Sequence, residues 1–457
     1  MAESRASWSG HLSFILAAAA SAIGLGNLWR FPYLAAQYGG GAFIAVYVAL
    51  SLTLGFTLLV TEIAIGRKSR QSQLTAFSLL GGRRWAWVGI LSTVVPFLIS
   101  PYYAVIGGWV VKYLAHYAAA AATGAPAIAD PSRYFDAFVA SGVWPSVFMA
   151  FFIAMTIAII MLGVKNGIEK VNAVMMPLLF LTALGLAVYI MFLPGAAAGI
   201  RYYLVPDFSR AGPGGLGKIF LGAMGQMFFS LSLAMGIMVT YGSYMRRDSS
   251  IPHAAVRIAL ADTFIAILSG FMVIPVVHAF AVSRGIDPET ALKAGPGLLF
   301  KSLPEIFGTF GPAGNILALA FFSLVFFAAL TSAISMSEAC VAAICDYLGC
   351  RRRPAAFWFG VFCVLTGLMS ALSMRTLSFV DSVVNCALMP VAAIGIALFA
   401  GWSHGPGAIM DELEAHGAKM RFSRAFSIAL RYFAPLLVTA ILVSEICRVL
   451  GIGGWSI

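Results

Sequence analysis

Apolar residues run along this chain in stretches too long for the core helices of a soluble fold, separated by short gaps rich in Lys and Arg or in Pro and Gly. At about 20 apolar residues per membrane span, the pattern predicts helices near residues 12–36, 41–66, 88–116, 145–163, 169–193, 218–245, 254–282, 311–347, 355–373, 376–402 and 426–450, about eleven in all. Two of them are interrupted. Ser21-Ala22-Ile23-Gly24-Leu25-Gly26-Asn27 breaks the first, and Ser230-Leu231-Ser232-Leu233-Ala234-Met235-Gly236 breaks the sixth, five spans later. Gly costs a helix about 1 kcal/mol relative to Ala, and non-helical backbone at membrane depth survives only where protein or a water-filled cavity satisfies it. One such glycine is explained as well by close helix packing. Two breaks at corresponding places predict an inverted repeat with a binding site at its midplane.

The start of the chain imitates a secretory leader, with Arg5 ahead of an apolar run at 12–20. The apolar stretch resumes after the glycines and continues into Trp29, Phe31 and Tyr33, so it reads as an interrupted span. Alternate gaps collect the basic residues: Arg67, Lys68, Arg70, Arg83 and Arg84; Lys165 and Lys170; Arg246, Arg247 and Arg257; Arg351, Arg352 and Arg353; Lys419, Arg421 and Arg424. Together with Arg5 they place the N-terminus in the cytoplasm, and an odd number of spans puts the C-terminus outside. The opposite gaps, 117–144, 194–217 and 283–310, read as extracellular loops with short surface helices. No separate soluble domain is visible. Residues 1–457 are expected to form a single integral membrane domain, with 12–193 as a first repeat, 218–402 as a second, inverted one and 426–450 as an additional helix.

Composition acts here by exclusion. The chain is 61% hydrophobic and 10% charged, against roughly 25% charged in soluble proteins. An ordinary cytosolic enzyme, a disordered chain and a nucleic-acid reader are excluded. The net charge of +11 is an orientation signal rather than a hint of anionic substrates. Cys340, Cys345, Cys350, Cys363, Cys386 and Cys447 lack metal or redox spacing and read as small packing residues. No nucleophile with its base, no metal cluster and no phosphate loop appears, and His116 and His278 stand alone, so the chain is not an enzyme.

Gly24-Leu25-Gly26-Asn27-Leu28-Trp29-Arg30-Phe31-Pro32-Tyr33, followed by Gly39-Gly40-Gly41-Ala42-Phe43, closely resembles the signature of the neurotransmitter:sodium symporter family, whose bacterial members take up amino acids. Gln226-Met227-Phe228-Phe229-Ser230-Leu231-Ser232 and Ala328-Ala329-Leu330-Thr331-Ser332 continue the resemblance in the expected order. The resemblance implies an all-α membrane protein of the leucine-transporter fold: a 5+5 inverted repeat with helices 1 and 6 broken. Eleven spans would make it a short type, without the twelfth helix that many members have.

An amino acid presents a carboxylate and an ammonium, and a broken helix offers free amides at one end and free carbonyls at the other. By the resemblance, the carboxylate meets the amides of Leu25 and Gly26 and the hydroxyl of Tyr103, and the ammonium meets carbonyls near Ala22, Phe229, Ser230 and Ser232. Monoamine-carrying relatives have an aspartate at the position of Gly24, so a substrate here must bring its own carboxylate. Ile99, Tyr103, Phe229, Ser232, Met235, Ser332 and Met336 would line an uncharged side-chain pocket, where flexible methionines favour aliphatic to aromatic substrates.

Two sodium ions are implied. The first would be held by the Ala22 carbonyl, Asn27, Ser230, Asp262 and the substrate carboxylate. The second would use carbonyls of Ala20, Ile23 and Ala328 with the hydroxyls of Thr331 and Ser332, which otherwise back-bond within a helix as such residues commonly do. Asp262 stands where chloride-dependent relatives have Asn, and Ala266 where they have Ser. A carboxylate there supplies the charge that chloride supplies elsewhere, so transport is expected to be chloride-independent.

The same resemblance implies two gates. Outside, Arg30 pairs with Asp381 beneath a lid of Tyr103 and Phe229; inside, Arg5 and Trp8 close against Asp346 beside Tyr241. Gly167 and Pro177 match a glycine, nine residues, proline pattern that eases unwinding of the fifth helix and release of sodium. Glu62 is expected to be structural; Glu338 and Glu445 are acids without an assigned role. The implied function is sodium-coupled import of hydrophobic L-amino acids by alternating access in a bacterial cytoplasmic membrane, with substrate, sodium ions and the lipid bilayer as partners and no nucleic acid. A proton-coupled or uncoupled exchanger of the same fold, or a non-translocating amino acid sensor, stay open as alternatives.

Overall fold

A computed structural model of the chain describes residues 6–209, 215–286, 296–415 and 423–450. Every regular element among them is helical. Among the described residues, nine unbroken helices are long and apolar enough to cross a membrane: Gly41–Ser69, Arg83–Thr123, Val143–Met161, Val164–Met191, Ile251–Ser283, Ala313–Leu348, Arg352–Leu372, Met374–Ser403 and Ser423–Cys447. The first span is a bent pair, His11–Ala22 and Gly26–Gln37, turned by 53°. The sixth consists of Gly215–Ser230 and Ile237–Ser243, parted by six residues without helical winding. By position these are the eleven spans of the hydropathy pattern. The third runs further than the sequence suggested, because the alanines after Tyr117 continue its helix to Thr123. The outward loops fold short helices of their own, Pro131–Ala140, Ala196–Leu204 and Leu303–Gly308, the first capped by the Asp130 carboxylate on the Arg133 amide at 2.9 Å.

The inner half of the first span is made of small residues and lies at the centre of the bundle. Ala17, Ala18, Ala19, Ala20, Ser21 and Ala22 are all buried, and this half packs on the fifth, seventh and eighth spans. Without a hydrophobic driving force between helices in lipid, close approach of backbones supplies the attraction. Small side chains permit that approach.

The two breaks face one another. The Ser232 hydroxyl donates to the Ser21 carbonyl at 3.0 Å, and the Ser21 hydroxyl lies 3.3 Å from that of Ser232. In the sixth span the chain passes through three left-handed residues, Ser232 (φ 52°), Ala234 (φ 63°) and Gly236 (φ 68°). Only the last is a glycine. For the other two this conformation costs roughly 1–2 kcal/mol each, which the surroundings must offset. Glu62, fully buried on the second span, reaches across and accepts the Ala234 amide at 2.7 Å. An intramembrane acid thereby holds the unwound segment open in one shape.

Replacing Glu62 with alanine strands a buried amide, so Glu62→Ala is expected to cost about 1–3 kcal/mol and to lower the unfolding temperature in detergent. Glu62→Gln keeps a carbonyl acceptor there and should lose distinctly less. Equal losses from the two variants would refute the anchoring role.

Candidate functional site

Between the breaks lies a small cavity with about 30 Å³ of free volume. Its wall includes all twelve residues named as substrate contacts: Ala22, Gly24, Leu25, Gly26, Ile99, Tyr103, Phe229, Ser230, Ser232, Met235, Ser332 and Met336. Ser21, Asn27 and Ile237 complete it, and none of the lining residues is charged. The Tyr103 hydroxyl is buried without a hydrogen-bond partner. The glycines of the first break make room. A Cβ on Gly24 would stand 2.9 Å from the Ser332 hydroxyl, and one on Gly26 would stand 2.5 Å from the ring carbons of Phe229. A side chain at Gly24 would thus displace the Ser332 hydroxyl and point toward that of Tyr103, 3.7 Å from such a Cβ.

Behind the cavity wall sits a closed polar cluster. Asn27 donates to one Asp262 carboxylate oxygen at 2.7 Å and to the Ser230 hydroxyl at 2.9 Å, while the Ser230 hydroxyl lies 2.7 and 2.9 Å from the two carboxylate oxygens. The Asn27 side-chain oxygen accepts the Gly24 amide at 3.1 Å, which ties the cluster to the first break. Asp262 and Asn27 are both fully buried. A buried carboxylate is costly unless it is hydrogen-bonded or paired with a cation, and hard oxygen donors are what a small hard cation selects. The sequence reading missed a fourth member. Tyr47, on the second span, donates to the other Asp262 oxygen at 2.9 Å. Its only sequence signal was a lone hydroxyl in the apolar run 41–50, which interfacial anchors also show.

The residues assigned to a second ion also come together. The Ser332 hydroxyl donates to the carbonyls of Ile23 and Ser21, each at 3.4 Å. Thr331 bonds back within its own helix, to Phe327 at 2.9 Å and Ala328 at 3.2 Å. Ala20 and Ala328 are fully buried nearby on the same two spans.

The cavity is walled off differently at its two ends. At the end away from the basic residues, a vestibule of about 490 Å³ is lined by Arg30, Phe229, Asp381, Asn385 and Glu445 among others. Phe229 belongs to both spaces and is the wall between them. The Arg30 guanidinium lies 5.6 Å from the centre of that ring, and Asp381 accepts the Asn385 side-chain amide at 2.8 Å. Glu445, unassigned from sequence, thus faces the vestibule. Toward the basic end, the packing is dense. Trp8 is buried edge-on against Tyr241, with ring centres 5.2 Å apart, and its indole donates to the Tyr241 carbonyl at 3.1 Å. Asp346 accepts the Ser72 amide at 2.6 Å, and the Tyr241 hydroxyl bonds Ser335 at 2.9 Å. Arg5 lies outside the described residues.

Glu338 is resolved as well: it is buried in a two-pronged ion pair with Arg352 and accepts the Tyr244 hydroxyl at 2.8 Å. Gly167 sits in a widened turn, Val164–Glu169, at the start of the fifth span, and Pro177 stands inside the following helix. At the end of that turn Glu169 accepts the Ser9 amide at 3.1 Å and the Ser13 hydroxyl at 2.6 Å. The segment expected to unwind is thereby fastened to the start of the first span.

The model of the family described as the sodium:neurotransmitter symporter family matches residues 5–121 and 140–453. An uncharacterized sodium-dependent transporter of Bacillus subtilis is 33% identical over 452 residues, covering 96% of this chain and 97% of the relative. One of Methanocaldococcus jannaschii is 33% identical over 471 residues, covering 99% and 93%. Among solved structures, the crystal structure of MhsT in complex with L-phenylalanine superposes with a TM-score of 0.85 at 35% identity, over 96% of this chain and 100% of that one.

Tyr47→Phe removes one of the donors that keep the Asp262 carboxylate buried. The variant is expected to unfold with about 1–3 kcal/mol less stability, seen as a lower midpoint in thermal unfolding of the detergent-solubilised protein; an unchanged midpoint would refute the contact.

Proposed function

The chain belongs to the sodium:neurotransmitter symporter family, and from that membership we propose that it imports hydrophobic L-amino acids, aliphatic to aromatic, together with sodium and without chloride. Family members are transporters rather than enzymes, and this chain is a multi-pass membrane protein of that kind. One observation carries the substrate class. The cavity joins two unwound segments, with their backbone polar groups, to the lone Tyr103 hydroxyl and to a wall of Ile99, Phe229, Met235 and Met336, with no charged residue lining it. A zwitterion with an apolar side chain is the ligand that such a wall complements. The phenylalanine bound to the similar MhsT structure agrees with that choice.

In this reading Ala22, Asn27, Ser230 and Asp262 hold one sodium beside the substrate carboxylate. Ion and substrate then each complete the other's site, which is a coupling free energy between them. Ala20, Ile23, Ala328, Thr331 and Ser332 hold the second, for which Thr331 and Ser332 turn their lone pairs from helix carbonyls to the ion. Asp262 supplies the negative charge, and Ala266, one turn on, has no hydroxyl to retain an anion.

Free volume of about 30 Å³ is about one water's share of the liquid. Binding an amino acid therefore requires the wall to re-pack, chiefly the ring of Phe229 and the thioethers of Met235 and Met336, whose unbranched chains do so readily. Closure of Arg30 toward Asp381 seals the vestibule behind the substrate. Opening inward parts Trp8 from Tyr241, frees Asp346, and unwinds the segment between Gly167 and Pro177. The basic ends of the spans face the cytoplasm of a bacterial inner membrane.

Proteoliposomes holding the purified chain are expected to accumulate radiolabelled phenylalanine and leucine only under an inward sodium gradient, at a rate unchanged when gluconate replaces chloride. A proton gradient that drives uptake without sodium, binding with no accumulation, or collapse of uptake in gluconate would each overturn part of the proposal. Tyr103→Phe removes a hydrogen bond to a charged group, worth about 1.5–3 kcal/mol. Equilibrium binding of the labelled substrate should weaken roughly 10- to 100-fold, with sodium still required.

A further inference from the structure

Apart from the central cavity and its vestibule, the bundle carries a wide cleft of about 600 Å³ at its basic end. The start of the first span, the 246–250 connection and the start of the seventh span form it, through His11, Arg246, Asp248, His253 and Arg257. A second hollow adjoins it across Arg246 and adds Arg70 and Arg247. Four arginines and two histidines thus line the two spaces with one acid, Asp248, which takes the Arg246 guanidinium at 2.7 and 3.1 Å, while Arg70 donates to the Met245 carbonyl at 2.7 Å. The His11 Nδ1 atom is buried there without a hydrogen-bond partner. The local excess of positive charge calls for an anion with several acceptor oxygens.

The surroundings say what kind of anion. His253 and Arg257 stand at the head of an exposed stripe on the seventh span, which continues at helical spacing through Val256, Leu260 and Phe264. Those three side chains are 41–49% exposed. From His253 to Phe264 the helix rises about 16 Å, close to the half-thickness of a bilayer's hydrocarbon core, about 15 Å. Leu12, beside His11 on the first span, is exposed as well. A charged cup at the head of an exposed apolar helix stripe one leaflet deep matches an amphiphile rather than a soluble ion.

We propose that this cleft binds the phosphate of an anionic phospholipid of the cytoplasmic leaflet, one acyl chain lying along Val256, Leu260 and Phe264. The site goes beyond the transport reaction and uses none of its residues. Its cup joins the first half of the first span to the connection after the sixth, two segments that must part for the inner end to open. Bound lipid therefore bridges them and slows inward opening.

The test uses the full-length chain in phosphatidylcholine vesicles with or without phosphatidylglycerol, extracted gently and examined by native mass spectrometry. The wild type should retain phosphatidylglycerol. Each basic residue near an anionic surface is worth about five-fold in affinity, so retention should fall about five-fold in Arg257→Gln and about 25-fold in Arg246→Gln/Arg257→Gln, but not in Arg353→Gln, an exposed arginine elsewhere on the basic end. Independently of any variant, phosphatidylglycerol with a photoreactive acyl chain should cross-link to Leu260 or Phe264 of the wild type. Equal loss in Arg353→Gln, or cross-links confined to other faces, would overturn the site. Equal competition by inorganic phosphate and by the lipid's soluble headgroup would overturn the lipid in favour of a free anion.

Discussion

Backbone polar groups cannot be left bare inside a membrane, and the architecture of this chain follows from how it violates and then repairs that rule. Two helices are interrupted at their middles, and each interruption frees amides and carbonyls where no water is available. The repair comes from side chains on other spans. Glu62 takes the Ala234 amide, Ser232 reaches the Ser21 carbonyl, and Asn27 folds back onto the Gly24 amide. Each of these contacts fixes one break against another part of the bundle. What is left over is the useful part: groups that face a cavity and wait for a ligand of complementary polarity, of which the Tyr103 hydroxyl is the plainest.

Scarcity of charge gives the remaining charges their weight. In a chain that is 10% charged, an acid at membrane depth needs a reason to be there, and the structure supplies a different one for each. Glu62 props open a helix break, Asp262 sits in a cage of neutral donors, and Glu338 locks an arginine between helices at the basic end. Low dielectric raises the strength of every such contact and the penalty for breaking it. The two ends of the bundle use this differently: one opens into a vestibule bounded by one aromatic ring, and the basic one is packed aromatic against aromatic.

The spans, the two breaks and the wall of the cavity were legible in the sequence because each leaves a signature along one stretch of chain. Apolar runs give the helices, glycines among small polar residues give the breaks, and the motifs at 24–33, 226–232 and 328–332 give part of the wall, whose Ile99, Tyr103, Met235 and Met336 came only through the family resemblance. Contacts between distant spans were not legible. Tyr47 looked like any membrane tyrosine until the fold placed it 2.9 Å from Asp262. Glu338 had no visible partner because Arg352 lies beyond the end of its helix, in a basic run that reads simply as an orientation signal. Glu169 passed unnoticed for the same reason: its partners, Ser9 and Ser13, precede it by more than 150 residues.

The absent side chain at Gly26 has a consequence for evolution within such a fold. The Phe229 ring, which divides vestibule from cavity, lies so close to Gly26 that a Cβ there would stand 2.5 Å from its ring carbons. A space cannot be tuned by degrees, since the smallest addition available to the chain, one methyl, already overfills it. Changes in the volume of the cavity therefore fall to other lining positions, such as Met235 and Met336, whose long side chains already stand in it.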